Sequence, residues 1–130
     1  MFKNKDIKEL KKNIELSKLH EIAKISAQIG NEILKNNYNK IQKISSKGRK
    51  GDLVTNVDLE VENKIKEFLE EETPDISIIA EESGKLNKSS DLKWCIDPLD
   101  GTTNYSHGYP FFATSIGLVY KNKPILGAIS

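Results

Sequence analysis

The stretch WCIDPLDGTTNYSHGYPFF, residues 94–112, decides how the rest of this sequence is interpreted. It begins with apolar residues, as a buried strand does, and the apolar run stops at Asp97. A second carboxylate, Asp100, follows three residues later across a proline, and Gly101 and two threonines come next. Acids at a strand end, beside a glycine and free backbone amides, suit a divalent cation and a phosphate held together. A set of solvated acidic turns fits the same residues, so spacing alone leaves both interpretations open.

Length and composition indicate a single globular domain. The chain has 130 residues, of which 37% are hydrophobic and 30% are charged, as is ordinary for a protein with one hydrophobic core. A formal net charge of +1 gives no reason to expect a nucleic-acid partner. One cysteine, Cys95, excludes a disulfide framework, and no apolar run has the length of a signal peptide or a membrane span. We therefore expect a cytoplasmic protein without a membrane partner.

An N-terminal helix is predicted by the apolar residues of 16–34, which recur every three or four positions. It should end near Asn36, and the charged residues before it should be frayed. A short strand is expected at 41–45. The glycine-bounded segment SKGRKG, residues 46–51, is then predicted to be a flexible basic loop. That loop is either simply solvated or a mobile flap whose lysines approach a phosphate.

A second helix is predicted to follow this loop. The sequence TNVD at 55–58 resembles a capping box, with Thr55 as the N-cap and Asp58 at the third helical position. Apolar residues at helical spacing continue to Leu69, and the helix should end at Thr73 before a proline. Spacing alone therefore explains Asp58 as a helix cap.

Short strands make up the rest of the chain. The first, residues 76–80, ends in Glu81 and Glu82, and the strand that enters the central motif likewise ends in an acid, Asp97. If these two strands are neighbours in one sheet, their acids lie side by side. Residues 112–120 and 124–129 are β-rich runs separated by Lys-Asn-Lys, which predicts a hairpin.

The acidic strand ends supply the ligands that a hard cation prefers. The candidate ligands are the carboxylates of Glu81, Asp97 and Asp100, with Asp58 as a fourth candidate, and the carbonyl of Leu99. The sequence contains no histidine and cysteine set with zinc spacing, which favours Mg²⁺ over Zn²⁺. Two such ions would clamp a phosphate and lower the pKa of a bound water, and the hydroxyl of Thr102 is close enough in sequence to reach that water.

Taken together, these motifs resemble the inositol monophosphatase family of Mg²⁺-dependent, lithium-sensitive phosphatases. The DPLDGT block is shared with fructose-1,6-bisphosphatases and 3′-phosphoadenosine phosphatases, whereas its continuation is more similar to the inositol monophosphatase branch. The matching pieces, in family order, are DLVTNVD at 52–58, AEES at 80–83, WCIDPLDGTTNY at 94–105, HGYPF at 107–111 and SIGL at 115–118.

The resemblance implies a set of Mg²⁺ ligands. Glu81, Asp97 and the carbonyl of Leu99 would bind the first ion, and Asp97 would bridge to a second ion that Asp100 also holds. The complete enzyme would carry two or three ions. Lys47 falls where the family has a lysine in its mobile loop near the metals.

The resemblance also implies catalytic and phosphate-binding residues. Thr102, with Asp58 behind it, would orient and deprotonate the attacking water, and Glu81 would complete the catalytic set. A cap and a catalytic partner are compatible roles for Asp58, because a capping acid is rigidly placed. The phosphate-binding residues would be Asp100, Gly101, Thr102 and Thr103.

The expected fold is α+β, with two long helices packed on a mostly antiparallel sheet, as in the first half of the family's layered sandwich. Family members are about twice as long as this chain. The resemblance therefore implies that residues 1–130 are the N-terminal metal- and phosphate-binding domain and that the C-terminal domain is absent. The second metal site would then be incomplete, which leaves the activity of the 130-residue chain alone open.

The function that the resemblance implies is Mg²⁺-dependent hydrolysis of a small phosphate monoester, inositol monophosphate before others. The first alternative is the activity of a fructose-1,6-bisphosphatase or a 3′-phosphoadenosine phosphatase. The second is a non-catalytic homologue that binds a partner, as bacterial relatives associated with RNA polymerase suggest. Family members are commonly dimers, so a homodimer is expected for the full-length protein.

Overall fold

The computed structural model describes residues 3–43, 47–80, 84–86 and 90–130, with backbone only for 47–48 and 84–86. Within these ranges, no helix combines the length and apolarity that crossing a membrane requires. The elements in chain order are α1 (Asn4–Gln42), α2 (Lys47–Glu72), β1 (Ser77–Ala80), β2 (Gly84–Leu86), β3 (Leu92–Asp100), α3 (Thr102–His107), β4 (Ala113–Tyr120) and β5 (Lys123–Ile129).

The described strands form one sheet in the order β2-β1-β3-β4-β5. The β1–β3 pair is parallel, and the other three pairs are antiparallel. The prediction of a mostly antiparallel sheet is therefore confirmed. The parallel pair consists of the two strands that the acids Glu81 and Asp97 follow or end in the sequence. Ala80 of β1 is in register with Ile96 of β3.

Both long helices pack on one face of this sheet, which we call the inner face. Trp94 pairs with Leu118 and Ile96 with Ile116 across β3 and β4. All four side chains are buried in one apolar cluster with residues of α1 and α2. Since side chains alternate along a strand, the intervening residues form the outer face. The outer face carries Ile79, Cys95, Ser115 and Gly117. The predicted α+β arrangement is confirmed.

Helix α1 is longer than predicted at both ends. It begins at Asn4, so the expectation of a frayed start is wrong. The backbone N–H of Lys3, the N-cap residue, donates to the Asp6 carboxylate at 3.2 Å, so the side chain of the first turn caps the start of the helix. An acid in the first turn also interacts favourably with the helix dipole.

The C-terminal end of α1 lies at Gln42, beyond the predicted stop at Asn36. Tertiary contacts explain the extension, because Ile41 is buried in the core and the Gln42 amide donates to the carbonyl of Tyr105 at 2.7 Å. The predicted strand at 41–45 is therefore wrong for residues 41–43, and residues 44 and 45 lie outside the described residues.

Helix α2 begins at Lys47, eight positions before the predicted cap. The capping box at 55–58 is therefore wrong, as is the loop predicted over 47–51, and Ser46 lies outside the described residues. Thr55 lies inside the helix, where its hydroxyl donates to the Gly51 carbonyl at 3.0 Å. Burial extends the helix upstream of Thr55, since Val54 belongs to the same buried stripe as Val57 and Val61. The predicted end near Thr73 is confirmed.

Strands β4 and β5 form the predicted hairpin. Only Lys121 and Asn122 lie between the paired residues Tyr120 and Lys123, and their φ angles are +49° and +68°. Two successive residues with positive φ are typical of the type I′ turn, whose twist matches that of the flanking strands.

Candidate functional site

The two carboxylates of the central motif lie at the end of β3, where its pairing with β4 is interrupted. Asp97 pairs with Ser115, and the next pair is Asp100 with Ala113. Three steps along β3 therefore match two steps along β4, so β3 contains one extra residue, a β-bulge. In an unbroken strand, side chains three positions apart point to opposite faces. The bulge instead places Asp97 and Asp100 on the same outer face.

Asp97 carries the clearest sign of a missing partner. Its side chain is half-buried, and no described residue offers a hydrogen bond to its buried Oδ1 atom. A buried carboxylate oxygen without a partner is costly, so it indicates a site for a positive group. Oxygen donors on one face of the bulge suit a hard cation such as Mg²⁺. The residues present therefore fit such an ion.

The described residues do not complete a metal site by themselves. Among them, no three Asp, Glu, His or Cys side chains are arranged to hold a metal ion. Glu81 lies outside the described residues. Its chain neighbour Ala80 is in register with Ile96, which directly precedes Asp97. Strands β1 and β3 are therefore level with each other at Ala80 and Ile96, the residues that directly precede Glu81 and Asp97 in the sequence.

Leu99 and Thr102 lie together at the bulge. The Leu99 side chain is buried, while its carbonyl accepts a hydrogen bond from the Thr102 hydroxyl at 3.2 Å. A carbonyl has two lone pairs, so it can accept this bond and still face a cation. The Thr102 side chain is exposed, as an oxygen must be to contact a water or a substrate.

Gly101 makes the turn from the bulge into α3. Its φ of +85° lies in the left-handed region, where other residues are strained. A Cβ added here would lie 2.7 Å from the carbonyl oxygen of Phe111, so a side chain is also excluded by space. The first turn of α3 contains Thr102 and Thr103, whose amides have no intrahelical acceptors. Both threonines are exposed, so these amides lie next to solvent.

The other predicted site residues come from α2. Asp58 is half-buried within this helix, which contacts both β3 and α3. Lys47 is the first residue of α2, and its side chain lies outside the described part of the chain. The six predicted residues of the motif thus lie at the end of β3 and the start of α3, and the helix that carries Asp58 contacts both elements.

An aromatic cluster supports the motif from the inner side, and its role was not predicted. Tyr105 of α3 makes edge contacts with Phe112 and Tyr38, at ring-centre distances of 4.7 Å and 5.6 Å. Its hydroxyl donates to the Leu34 carbonyl at 2.7 Å. Burial, with a smaller effect of Tyr38, raises the pKa of Tyr105 to about 12. The sequence signal for this role was a tyrosine within the motif. The contact could not be predicted from the sequence, because Leu34 of α1 lies far from Tyr105 along the chain.

Comparison with known proteins matches residues 15–130 to the family model described as the inositol monophosphatase family. A fructose-1,6-bisphosphatase/inositol-1-monophosphatase of Aquifex aeolicus is 46% identical over 116 residues, which are 88% of this chain and 44% of the relative. Nus factor SuhB of Pasteurella multocida is 47% identical over 79 residues, which are 60% of this chain and 30% of the relative.

A solved structure shows the same fold. The inositol monophosphatase from Anabaena sp. PCC 7120 is 39% identical, with a TM-score of 0.71 over 88% of this chain and 40% of that chain. The chain thus spans less than half the length of each of these relatives. Because the family model matches nearly the whole sequence and the fold agrees, the chain belongs to the inositol monophosphatase family.

Proposed function

We propose that the protein carrying this chain hydrolyses a small phosphate monoester in a Mg²⁺-dependent reaction, inositol monophosphate before others. The observation that carries the proposal is the β3 bulge, which directs Asp97 and Asp100 to one face and leaves a buried carboxylate oxygen of Asp97 in need of a partner. Residues 1–130 would be the N-terminal metal- and phosphate-binding domain. A cytoplasmic location and a homodimer stay predictions.

The proposed ligands follow the order of the strand ends. Glu81, Asp97 and the Leu99 carbonyl would hold one Mg²⁺, and Asp97 and Asp100 would hold a second. When bound, Mg²⁺ supplies charge that neutralises phosphate oxygens and lowers the pKa of a bound water. Lys47, at the start of α2, would approach the same region.

The chain's own groups would position the reactants. The exposed hydroxyl of Thr102, 3.2 Å from the Leu99 carbonyl, would orient the attacking water, and Asp58 behind it would accept the proton. Glu81 would complete the catalytic set. The amides of Gly101 and Thr102, with Thr103, would bind the phosphate.

The first alternative within this proposal is a different substrate, as in a fructose-1,6-bisphosphatase or a 3′-phosphoadenosine phosphatase. The Aquifex relative is named for both fructose-1,6-bisphosphatase and inositol-1-monophosphatase. Phosphate release should therefore be compared for inositol 1-phosphate, fructose 1,6-bisphosphate and a 3′-phosphoadenosine phosphate. The preferred substrate is the one with the highest kcat/KM.

The test of the proposal is Mg²⁺-dependent phosphate release and its loss in Asp97→Asn. The assay uses the chain alone and a chimera in which the remaining part of the Anabaena enzyme follows Ser130. We expect Asp97→Asn to lower turnover more than about 100-fold, since losses of 10- to 100-fold already follow from disturbing groups outside the ligand set. The control is Asp91→Asn, an exposed acid just before β3.

A different class of function is favoured by one relative, Nus factor SuhB of Pasteurella multocida. In that alternative the protein keeps the bulge but acts by binding a macromolecular partner. Turnover in neither the chain nor the chimera, with a biological effect that survives Asp97→Asn, would support this alternative and contradict the phosphatase proposal.

A further inference from the structure

The bulge of β3 has a partner on the opposite face of the sheet. The Thr114 hydroxyl donates to the Pro98 carbonyl at 2.9 Å, and both residues are buried. Thr114 lies between Ala113 and Ser115, the residues of β4 that pair with Asp100 and Asp97. A bulge leaves its extra residue outside the regular ladder. The Thr114 side chain thus bonds a carbonyl of the bulge from below.

We propose that Thr114 is a positioning residue for the carboxylates of Asp97 and Asp100. The inference rests on the proposed function, because it concerns the same candidate metal site. It adds a residue of the inner face that reaches neither metal nor substrate. Its hydroxyl would set the direction in which the two acids point.

Rigid covalent geometry carries this effect from the carbonyl to the acids. The Pro98 carbonyl belongs to the planar peptide group that joins Pro98 to Leu99, so fixing its oxygen fixes that plane. The proline ring fixes φ on the other side of the same residue. Two of the backbone dihedral angles between Asp97 and Asp100, φ and ψ of Pro98, are thereby restricted. The Leu99 carbonyl, which accepts from Thr102, belongs to the next peptide group along the chain.

Helix α1 keeps Thr114 in place. A Cβ added to Gly30 would lie 2.3 Å from Oγ1 and 2.6 Å from Cγ2 of Thr114. Such distances are far below van der Waals contact, so the absence of a side chain at Gly30 makes room for the threonine. The backbone of α1 therefore covers the hydroxyl and limits its movement away from Pro98.

Two substitutions separate positioning from packing. Thr114→Val keeps the shape of the side chain but removes the donor, and Thr114→Ser keeps the donor but removes a methyl group. If the hydroxyl positions the acids, the valine variant is impaired and the serine variant resembles the parent. If Thr114 only fills space, the serine variant is the worse of the two.

The first readout needs no metal. Amide hydrogen exchange of Asp97 and Asp100, the residues that pair with β4 on either side of the bulge, reports opening of the bulge and is followed by NMR in the 130-residue chain. We expect exchange to be at least about 10-fold faster in Thr114→Val and near the parent rate in Thr114→Ser. Equal exchange in the parent and Thr114→Val, or faster exchange in Thr114→Ser than in Thr114→Val, would overturn the proposal.

The second readout is Mg²⁺ affinity by calorimetry, well below the melting temperature of each variant. Disturbing a group that orients ligands costs 10- to 100-fold in metal affinity, so we expect about 10-fold weaker binding for Thr114→Val. Suppose that the parent binds Mg²⁺ and Asp97→Asn does not. Unchanged Mg²⁺ affinity in Thr114→Val would then contradict the positioning role of Thr114 but leave the proposed function standing. No binding by the parent counts against the proposed function, and amide exchange then decides whether Thr114 orders the bulge.

Discussion

Tyr105 shows how much one side chain contributes to holding the motif. It belongs to α3, two residues after the candidate phosphate-binding residue Thr103, and its hydroxyl donates to the Leu34 carbonyl of α1. Its own carbonyl accepts from Gln42 near the end of α1. The residue is fully buried. Tyr105 therefore ties the segment after the motif to the longest helix at two points.

We predict that Tyr105→Phe is less stable at pH 7 by about 1–2 kcal/mol, because the buried Leu34 carbonyl loses its donor. Urea unfolding measures this difference. Tyr120→Phe, in which the parent ring is 44% exposed, is the control and should be close to neutral. A loss equal to that of the control would mean that the hydroxyl contact contributes nothing.

The raised pKa of Tyr105 predicts how stability changes at alkaline pH. Between pH 10 and about 12 the folded state keeps this proton, whereas the unfolded state loses it. Stability should therefore be unaffected below pH 10 and fall above it, by about 1.4 kcal/mol per pH unit from this group. Tyr105→Phe should remove that part of the slope. An unchanged slope in urea unfolding at pH 10 to 11.5 would contradict the assignment.

At the scale of elements, the close approach of α1 to β4 depends on a single glycine. Gly30 lies against Thr114, with no space for a Cβ between them. The contact matters because Thr114 in turn bonds the bulge of β3. Helix α1 is thereby connected to the candidate metal site, because Gly30 contacts Thr114 and Thr114 bonds Pro98.

We predict that Gly30→Ala destabilises the chain by about 1–3 kcal/mol, because the added methyl group forces α1 and β4 apart. Thermal unfolding measures the effect. The matched control is Gly51→Ala in α2, where nothing lies within 4 Å of the added Cβ. That variant should gain up to about 1 kcal/mol from helix propensity. A gain in both variants would show that α1 adjusts without cost.

The helices also show where local patterns were insufficient. Apolar spacing predicted both long helices, yet both start earlier than expected and α1 ends later. Val54 extends the buried stripe of α2 upstream of the supposed cap, so burial outweighs the capping signal of Thr55. Contacts with Tyr105 likewise extend α1 to Gln42.

For the whole molecule, the two faces of the sheet differ in their surroundings. The inner face lies under α1 and α2, and its side chains are buried. On the outer face, Ile129 is 75% exposed and Cys95 is half-buried. Burial raises the pKa of the Cys95 thiol, while the positive charge of Lys93 acts in the opposite direction. Cys95 therefore reports on whether the outer face is covered.

We predict that Cys95 in the folded chain is alkylated more slowly at pH 8 than a free thiol, because less of it is thiolate. In the chimera with the remaining Anabaena sequence, the rate should fall at least about 10-fold further if the added part packs on this face. Thiol titration with and without urea measures both effects. Equal rates in the chain and the chimera would show that the added part leaves this face uncovered.

By itself, the sequence determined the family, the α+β class and the run of motif residues from Asp97 to Thr103, because these depend on local composition and order. Two acids three positions apart cannot show on their own that they share a face. The tertiary structure decided this through the bulge, which exists only in the pairing of β3 with β4. It also decided the ends of the helices and the contacts of Tyr105 and Thr114. Those contacts join residues far apart in sequence, and only packing of the complete sheet and helices brings them together.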